Sequence, residues 1–177
     1  MAASHQSALV TVTVAILMVM ICFCQVSEGA DDLISKVCSD APNPPLCDQL
    51  LRPDPRSKGS DLVGLGGIMV EKGQDAVKAA IDAIKSIPPS AETDTCLDFF
   101  TDAIDSLNDC KQDLGSHDWD KLQYDAATAI EDVGYCDDIF TDEPGGTVPP
   151  VVAEADRRAE EIIYVLLVIE KLSKSPT

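Results

Sequence analysis

Cysteine is the residue type in this chain best equipped for chemistry, with seven among 177 residues. Cys22 and Cys24 lie in an apolar N-terminal run; the others are Cys38, Cys47, Cys96, Cys110 and Cys136. Cys38 and Cys47 bracket Ser-Asp-Ala-Pro-Asn-Pro-Pro-Leu, a proline-rich turn between two short helical pieces, and this spacing reads as a disulfide-stapled helical hairpin. Zinc binding needs another pattern. The later five cysteines contain no Cys-x-x-Cys pair, and His117 is the one histidine beyond the N-terminal run, so no metal site or cofactor is expected. With no Gly-x-Ser-x-Gly, Gly-x-Gly-x-x-Gly or phosphate loop, the chain offers no nucleophile and base pair, and catalysis is not expected.

Carboxylates are the other candidates. Asp102 and Asp105 could be taken for a hydrolase pair, and Asp137-Asp138 with Asp142-Glu143 for a calcium cluster. The first pair is three apart on a polar helical face, which is an ordinary solvated arrangement. The second lacks the alternating ligands and central glycine of an EF-hand and reads as a solvated helix end.

Two helices must position Cys96 and Cys136. Leu97, Phe100, Ile104, Leu107 and Leu114 recur at steps of three and four, as do Trp119, Leu122, Ala126, Ala129, Val133, Cys136 and Phe140, so each set lies on one helical face. Joined through Gly115-Ser116-His117, the helices must run antiparallel. That sets Cys96, near the start of the first, beside Cys136, near the end of the second, where a disulfide would tie the open end. Cys110 lies about 21 Å further along, near Leu122, and is the odd thiol. On a chain-entropy basis the 38–47 and 96–136 loops would contribute roughly 3 and 4 kcal/mol.

The remaining chain is helical too. After the hairpin over 31–53, Arg52-Pro-Asp-Pro-Arg-Ser-Lys-Gly reads as a linker that helix cannot cross. Ser60 can then cap a long helix with Leu62, Leu65, Met69, Ala76, Ala80, Ile84 and Ile87 inward. Gly64, Gly66, Gly67 and Gly73 weaken that helix but allow close approach of another. A last helix, Val151 to Ser173, turns Ala155, Ala159, Ile162, Leu166 and Ile169 inward. No period-two alternation persists long enough for a sheet. The expectation is an all-α fold, an up-down-up-down four-helix bundle over 60–174 with the N-terminal hairpin beside it.

Residues 8–23 form an apolar run without a preceding Lys or Arg, and Ser27 and Gly29 follow at positions that signal peptidase reads. We read 1–29 as a signal peptide and 30–177 as the mature domain; a signal anchor is the alternative. Delivery to an oxidising compartment accords with paired cysteines. Net charge is −18, and loss of Glu28 leaves 30 acidic and 13 basic residues, hence −17. So acidic a chain is a poor partner for nucleic acid, which demands clustered Lys and Arg. It suits a basic protein, or is simply a solvated surface.

Several stretches together carry a family resemblance: Ile34-Ser-Lys-Val-Cys-Ser-Asp-Ala-Pro-Asn-Pro-Pro-Leu-Cys, Asp54-Pro-Arg-Ser-Lys-Gly-Ser-Asp-Leu-Val-Gly-Leu-Gly, Asp102-Ala-Ile-Asp-Ser-Leu and Gly134-Tyr-Cys-Asp-Asp-Ile-Phe. The pattern resembles the plant invertase and pectin methylesterase inhibitors over about residues 31–172. The resemblance implies a four-helix bundle with an N-terminal hairpin, disulfides Cys38 to Cys47 and Cys96 to Cys136, no catalysis, and secretion to the apoplast. Invertase inhibitors place Pro-Lys-Phe at the start of the third bundle helix; this chain has His117-Asp118-Trp119-Asp120. That start, with Leu122 and Ala126 after it, is similar to the methylesterase inhibitors, so pectin methylesterase is the expected partner. The alternatives are acid invertase, or a non-inhibitory pollen or allergen-like member of the family.

Phe99 and Tyr135 lie off the inward stripes, each near a disulfide cysteine, and surface aromatics often anchor a partner; packing against a neighbouring helix is the alternative. Asp98, Asp102 and Asp138 surround them and match polar contact positions of the methylesterase inhibitors. Phe99 and Tyr135 themselves replace small polar residues of that pattern. Cys110 departs from it too, as a buried thiol or a dimer bridge. Reduction should loosen or unfold the mature protein while a chelator leaves its melting temperature unchanged, a contrast that thermal unfolding reads directly.

Overall fold

Proline and side-chain caps decide where each helix begins. A computed structural model of the protein describes residues 33–142 and 146–175, so the segment read as a signal peptide lies outside the described residues, as does Glu143. Helix α1 covers 33–39. Asn43 then accepts the Leu46 N–H through its side chain and, with Pro44 in the first position, starts α2 (Pro44–Leu51). Proline fits there because that amide has no intrahelical partner. Cys38 and Cys47 are bonded with their Cα atoms 5.4 Å apart, which closes the α1–α2 hairpin.

The stretch read as a linker has structure of its own. A 3₁₀ turn over Pro55–Ser57 starts at Asp54. Arg56 pairs with both Asp54, at 2.8 Å, and Glu71 of the next helix, at 2.6 Å. That helix, α3 (Leu62–Lys85), is capped by Asp61 and not by Ser60. Ser60 Oγ already donates to the Arg56 carbonyl, whereas Asp61 Oδ1 accepts the Gly64 N–H at 2.9 Å.

Helix α4 (Ala91–Ser116) opens on a capping box: Ser90 Oγ accepts the Thr93 N–H, and Thr93 Oγ1 accepts the Ser90 N–H. The turn after it is shorter than the sequence suggests. Gly115 and Ser116 stay helical and His117 alone turns the chain, with φ of 59°. The Asp118 N–H then bonds back to the Asp113 carbonyl at 3.0 Å, and Asp118 at once caps α5 (Trp119–Thr141) by accepting the Lys121 N–H. A left-handed residue at a helix end satisfies carbonyls that would otherwise be orphaned. The last helix, α6, runs Pro150–Ser173.

Consecutive helices pack side by side, α3 on α4, α4 on α5, α5 on α6, and α6 closes the ring on α3. Among the described residues there is no strand. The architecture is therefore the expected up-down-up-down four-helix bundle, its centre filled by Leu65, Met69, Phe100, Leu107, Leu122, Val133, Ile163 and Leu166. The hairpin lies against α6, where the Asn43 side-chain amide donates to Glu161 at 2.9 Å and Lys171 pairs with Asp40 at 2.9 Å.

Of the four glycines in α3, Gly66 and Gly73 are the buried ones at helix contacts. A Cβ on Gly66 would stand 2.7 Å from a Leu114 methyl, and one on Gly73 would stand 3.2 Å from Ile163. Gly67 has nothing within 4 Å of its Cβ position. Gly67→Ala should therefore raise stability by about 1 kcal/mol through helix propensity alone. Gly66→Ala should lose that gain and about 1–3 kcal/mol more to overpacking against a buried leucine. Thermal unfolding of the two variants side by side checks the contrast.

Candidate functional site

The disulfide partners Cys96 and Cys136 are fully buried, with Cα atoms 4.9 Å apart, and they tie the first turns of α4 to the last turns of α5. One turn beyond Cys96, Phe99 faces outward and is half-buried. Tyr135, next to Cys136, is 45% exposed. The two rings meet with centroids 5.0 Å apart and planes tilted by 32°, within the range where aromatic pairs attract beyond their buried area. Asp98, Asp102 and Asp138 are exposed on the same two helices. All five residues picked from the sequence thus fall on the tied end of the α4–α5 pair, as an aromatic platform with acidic side chains around it.

The other end of that pair is built differently. His117 and Trp119 stack edge to face at 6.0 Å, and Trp119 is half-buried against the core. Lys174 of α6 reaches Asp120. Trp119, at the entry to α5, is thus packed and does not project as a plug would. Between the ends, Lys121 bridges Asp113 at 3.4 Å and Asp125 at 3.0 Å. Burial, and then the hydrogen bond from Asp125, push the Asp113 carboxyl up to about 6.

Cys110 is fully buried and unpaired. Burial foremost, then the Asp125 and Asp113 charges, push its thiol up to about 12, so it is not a reactive thiolate. Of the two roles considered for it, the buried thiol is what the structure places there. A dimer bridge would require the thiol at the surface, and it is not there.

Buried carboxylates are the functional-looking residues that the sequence reading passed over. Asp113, Asp132 and Asp156 are all inside, each with at least one oxygen lacking a hydrogen-bond partner. Asp137 also departs from expectation. Instead of standing at a solvated helix end with Asp138, it is half-buried and its Oδ1 has no partner. A signal was available for Asp156, which continues the stripe of Val152, Ala159, Ile163 and Leu166, and for Asp132, which falls between Ala129 and Cys136. Tyr124, at 71% exposure, and Tyr164 are further exposed aromatics.

The family described as "Plant invertase/pectin methylesterase inhibitor" matches residues 32–169. The chain belongs to this family. It is a family of inhibitors and not of enzymes, in keeping with the missing catalytic residues. A protein from Actinidia deliciosa named "Pectinesterase inhibitor" is 35% identical over 152 residues, covering 82% of this chain and 81% of that protein. "Pectinesterase inhibitor 2" from Arabidopsis thaliana is 27% identical over 146 residues, covering 78% of this chain and 83% of that one. Among solved structures, a mutant form of a pectin methylesterase inhibitor from Arabidopsis superposes with a TM-score of 0.66 at 19% identity. It covers 78% of this chain and 95% of its own. Another solved structure, of a pectin methylesterase inhibitor from Arabidopsis thaliana, gives 0.57 at 18% identity, covering 81% of this chain and 97% of its own. These two show the shared bundle and hairpin fold.

Proposed function

We propose that this protein is a secreted inhibitor of pectin methylesterase. It would act in the apoplast after loss of residues 1–29, occupying the enzyme's substrate cleft stoichiometrically with the tied end of α4 and α5. The observation that carries the choice of target is the 35% identity, over most of both chains, to a protein named a pectinesterase inhibitor. The geometry supports the reading of the surface. Phe99 and Tyr135 supply an apolar centre that a partner can desolvate, and Asp98, Asp102 and Asp138 supply a charged surround, the division of labour usual in protein interfaces. A net charge of −18 over the chain favours a basic enzyme and speeds the encounter. Trp119, tucked against His117, does not support the invertase-type plug. Among the described residues no helix is long and apolar enough to cross a membrane.

A side-by-side assay of the mature protein on pectin methylesterase and acid invertase tests the reading. Inhibition of the esterase alone is expected. Inhibition of invertase alone would assign the other target, and inhibition of neither would leave a non-inhibitory member of the family. For the surface, Phe99→Ala and Tyr135→Ala should each weaken esterase binding by about 2 kcal/mol, roughly 30-fold, through faster dissociation. Asp102→Asn should mainly slow association and flatten its salt dependence. Surface kinetics with thermal unfolding on the same variants decides between interface and core. Unchanged dissociation with a lowered melting temperature would make the aromatics packing residues.

A further inference from the structure

The seam between α5 and α6 buries a carboxyl group without a counter-charge. Asp156 sits on the inward stripe of α6, is 1% exposed, and has no hydrogen-bond partner at either carboxylate oxygen. Across the seam Asp137 turns its own unpartnered Oδ1 inward. Glu160, one turn beyond Asp156, lies over Gly134 of α5, where a Cβ would come within 3.0 Å of Glu160 Oε1. Asp156 thus lies in the seam with one carboxyl across it on α5 and another one turn along its own helix.

The groups acting on Asp156 are Asp137 and Glu160, and among the described residues no cation does so. The other neighbours of α6 direct their charges elsewhere. Helix α3 brings Lys72, Asp75 and Asp82 to a separate groove, lined also by Glu154 and Arg158. The hairpin reaches α6 at Glu161 and Lys171. Arg157 is engaged with Glu154 and Glu161. Among the described residues these carboxyls do not converge closely enough to share a metal ion, so a proton is what neutralises Asp156 in the seam.

We propose that Asp156, with Asp137 and Glu160 beside it, forms a proton-held latch that keeps the α5–α6 seam closed while Asp156 is protonated and loosens it as Asp156 ionises. Burial, followed by the charges of Asp137 and Glu160, pushes the Asp156 carboxyl up to about 8. Burial foremost also raises Asp137, with Asp138 contributing, and Glu160, with Asp137 and Glu161 contributing. An unfolded aspartate ionises near 4. Between about 4 and 8 the folded chain thus holds a proton that the unfolded chain has lost, so stability is fullest on the acid side and declines as pH rises. The Cys96–Cys136 bond holds α5 to α4, so α6 is the helix that parts. Tyr135 and Asp138 lie on the turns of α5 that the latch steadies, whatever those residues bind.

Thermal unfolding and amide hydrogen exchange on the mature protein and on Asp156→Asn, between pH 6.5 and 8.5, test the latch. In this window Asp113 and Asp132, each pushed up to about 6 foremost by burial, have largely finished titrating. The wild type should lose on the order of 5 °C in melting temperature and exchange faster in the first turns of α6, while Asp156→Asn stays level. A level wild type, or an equal decline in the variant, overturns the proposal. If Asp156→Asn does not fold, carboxyl carbon titration of the wild type decides: an Asp156 midpoint above 6.5 supports the latch and one below it overturns it.

Discussion

Cys96 and Cys136 join α4 to α5 at the end opposite their turn, and much of the molecule is arranged around that join. The turn itself spends only His117 and Asp118, so the two helices are fixed in register at both ends. A 3.6-residue repeat then leaves no freedom in what faces outward near the bond. Phe99 and Tyr135 are brought ring to ring because each is displaced from the buried stripe near a bonded cysteine, one on each helix. Removing the bond would cost roughly 4 kcal/mol on a chain-entropy basis. It would also release the register that makes an aromatic platform out of two unrelated side chains.

Close packing supplies the second constraint. Gly66 and Gly73 let α3 lie against Leu114, Leu107 and Ile163, and the bundle closes around them without large aromatic residues apart from Phe100 at its centre. Against this the chain buries Asp132 and Asp156 with oxygens that lack a hydrogen-bond partner, although an unpartnered buried carboxylate opposes folding unless it is neutral. An acidic environment resolves the conflict, because protonation leaves the buried carboxyls neutral. The hydrogen bonds and ion pairs on the outside, such as Arg56 with Asp54 and Glu71, are exposed and contribute little to stability.

Much of this was legible in the sequence because helix length, apolar period and cysteine placement carry the same message. The stripe containing Leu122, Ala126, Ala129 and Val133 is buried residue for residue, and the proline clusters mark the breaks. What was harder to read involved choices between equivalent side chains. Ser60 and Asp61 are both competent caps, and only the Ser60 bond to the Arg56 carbonyl settles which one serves. Gly115 looks like the natural helix stop, yet the back-bond from Asp118 to Asp113 places the left-handed residue at His117. The buried acids were hidden by a reasonable prior that aspartate faces water, which fails when an acid sits on the stripe. Phe99 and Tyr135 stand out in the sequence because the opposite anomaly, an aromatic residue off the stripe, is easier to see.

The Cys96–Cys136 bond spans 40 positions, which makes most of α4, the turn and most of α5 one covalent ring. A protease that cuts the exposed turn at 117–118 opens the ring without dividing the molecule. Both halves stay joined through sulfur, still packed against α3 and α6, and the platform beside the bond keeps its two rings together. The exposed peptide bonds of this turn are thereby also ones whose loss leaves the paired helices covalently joined.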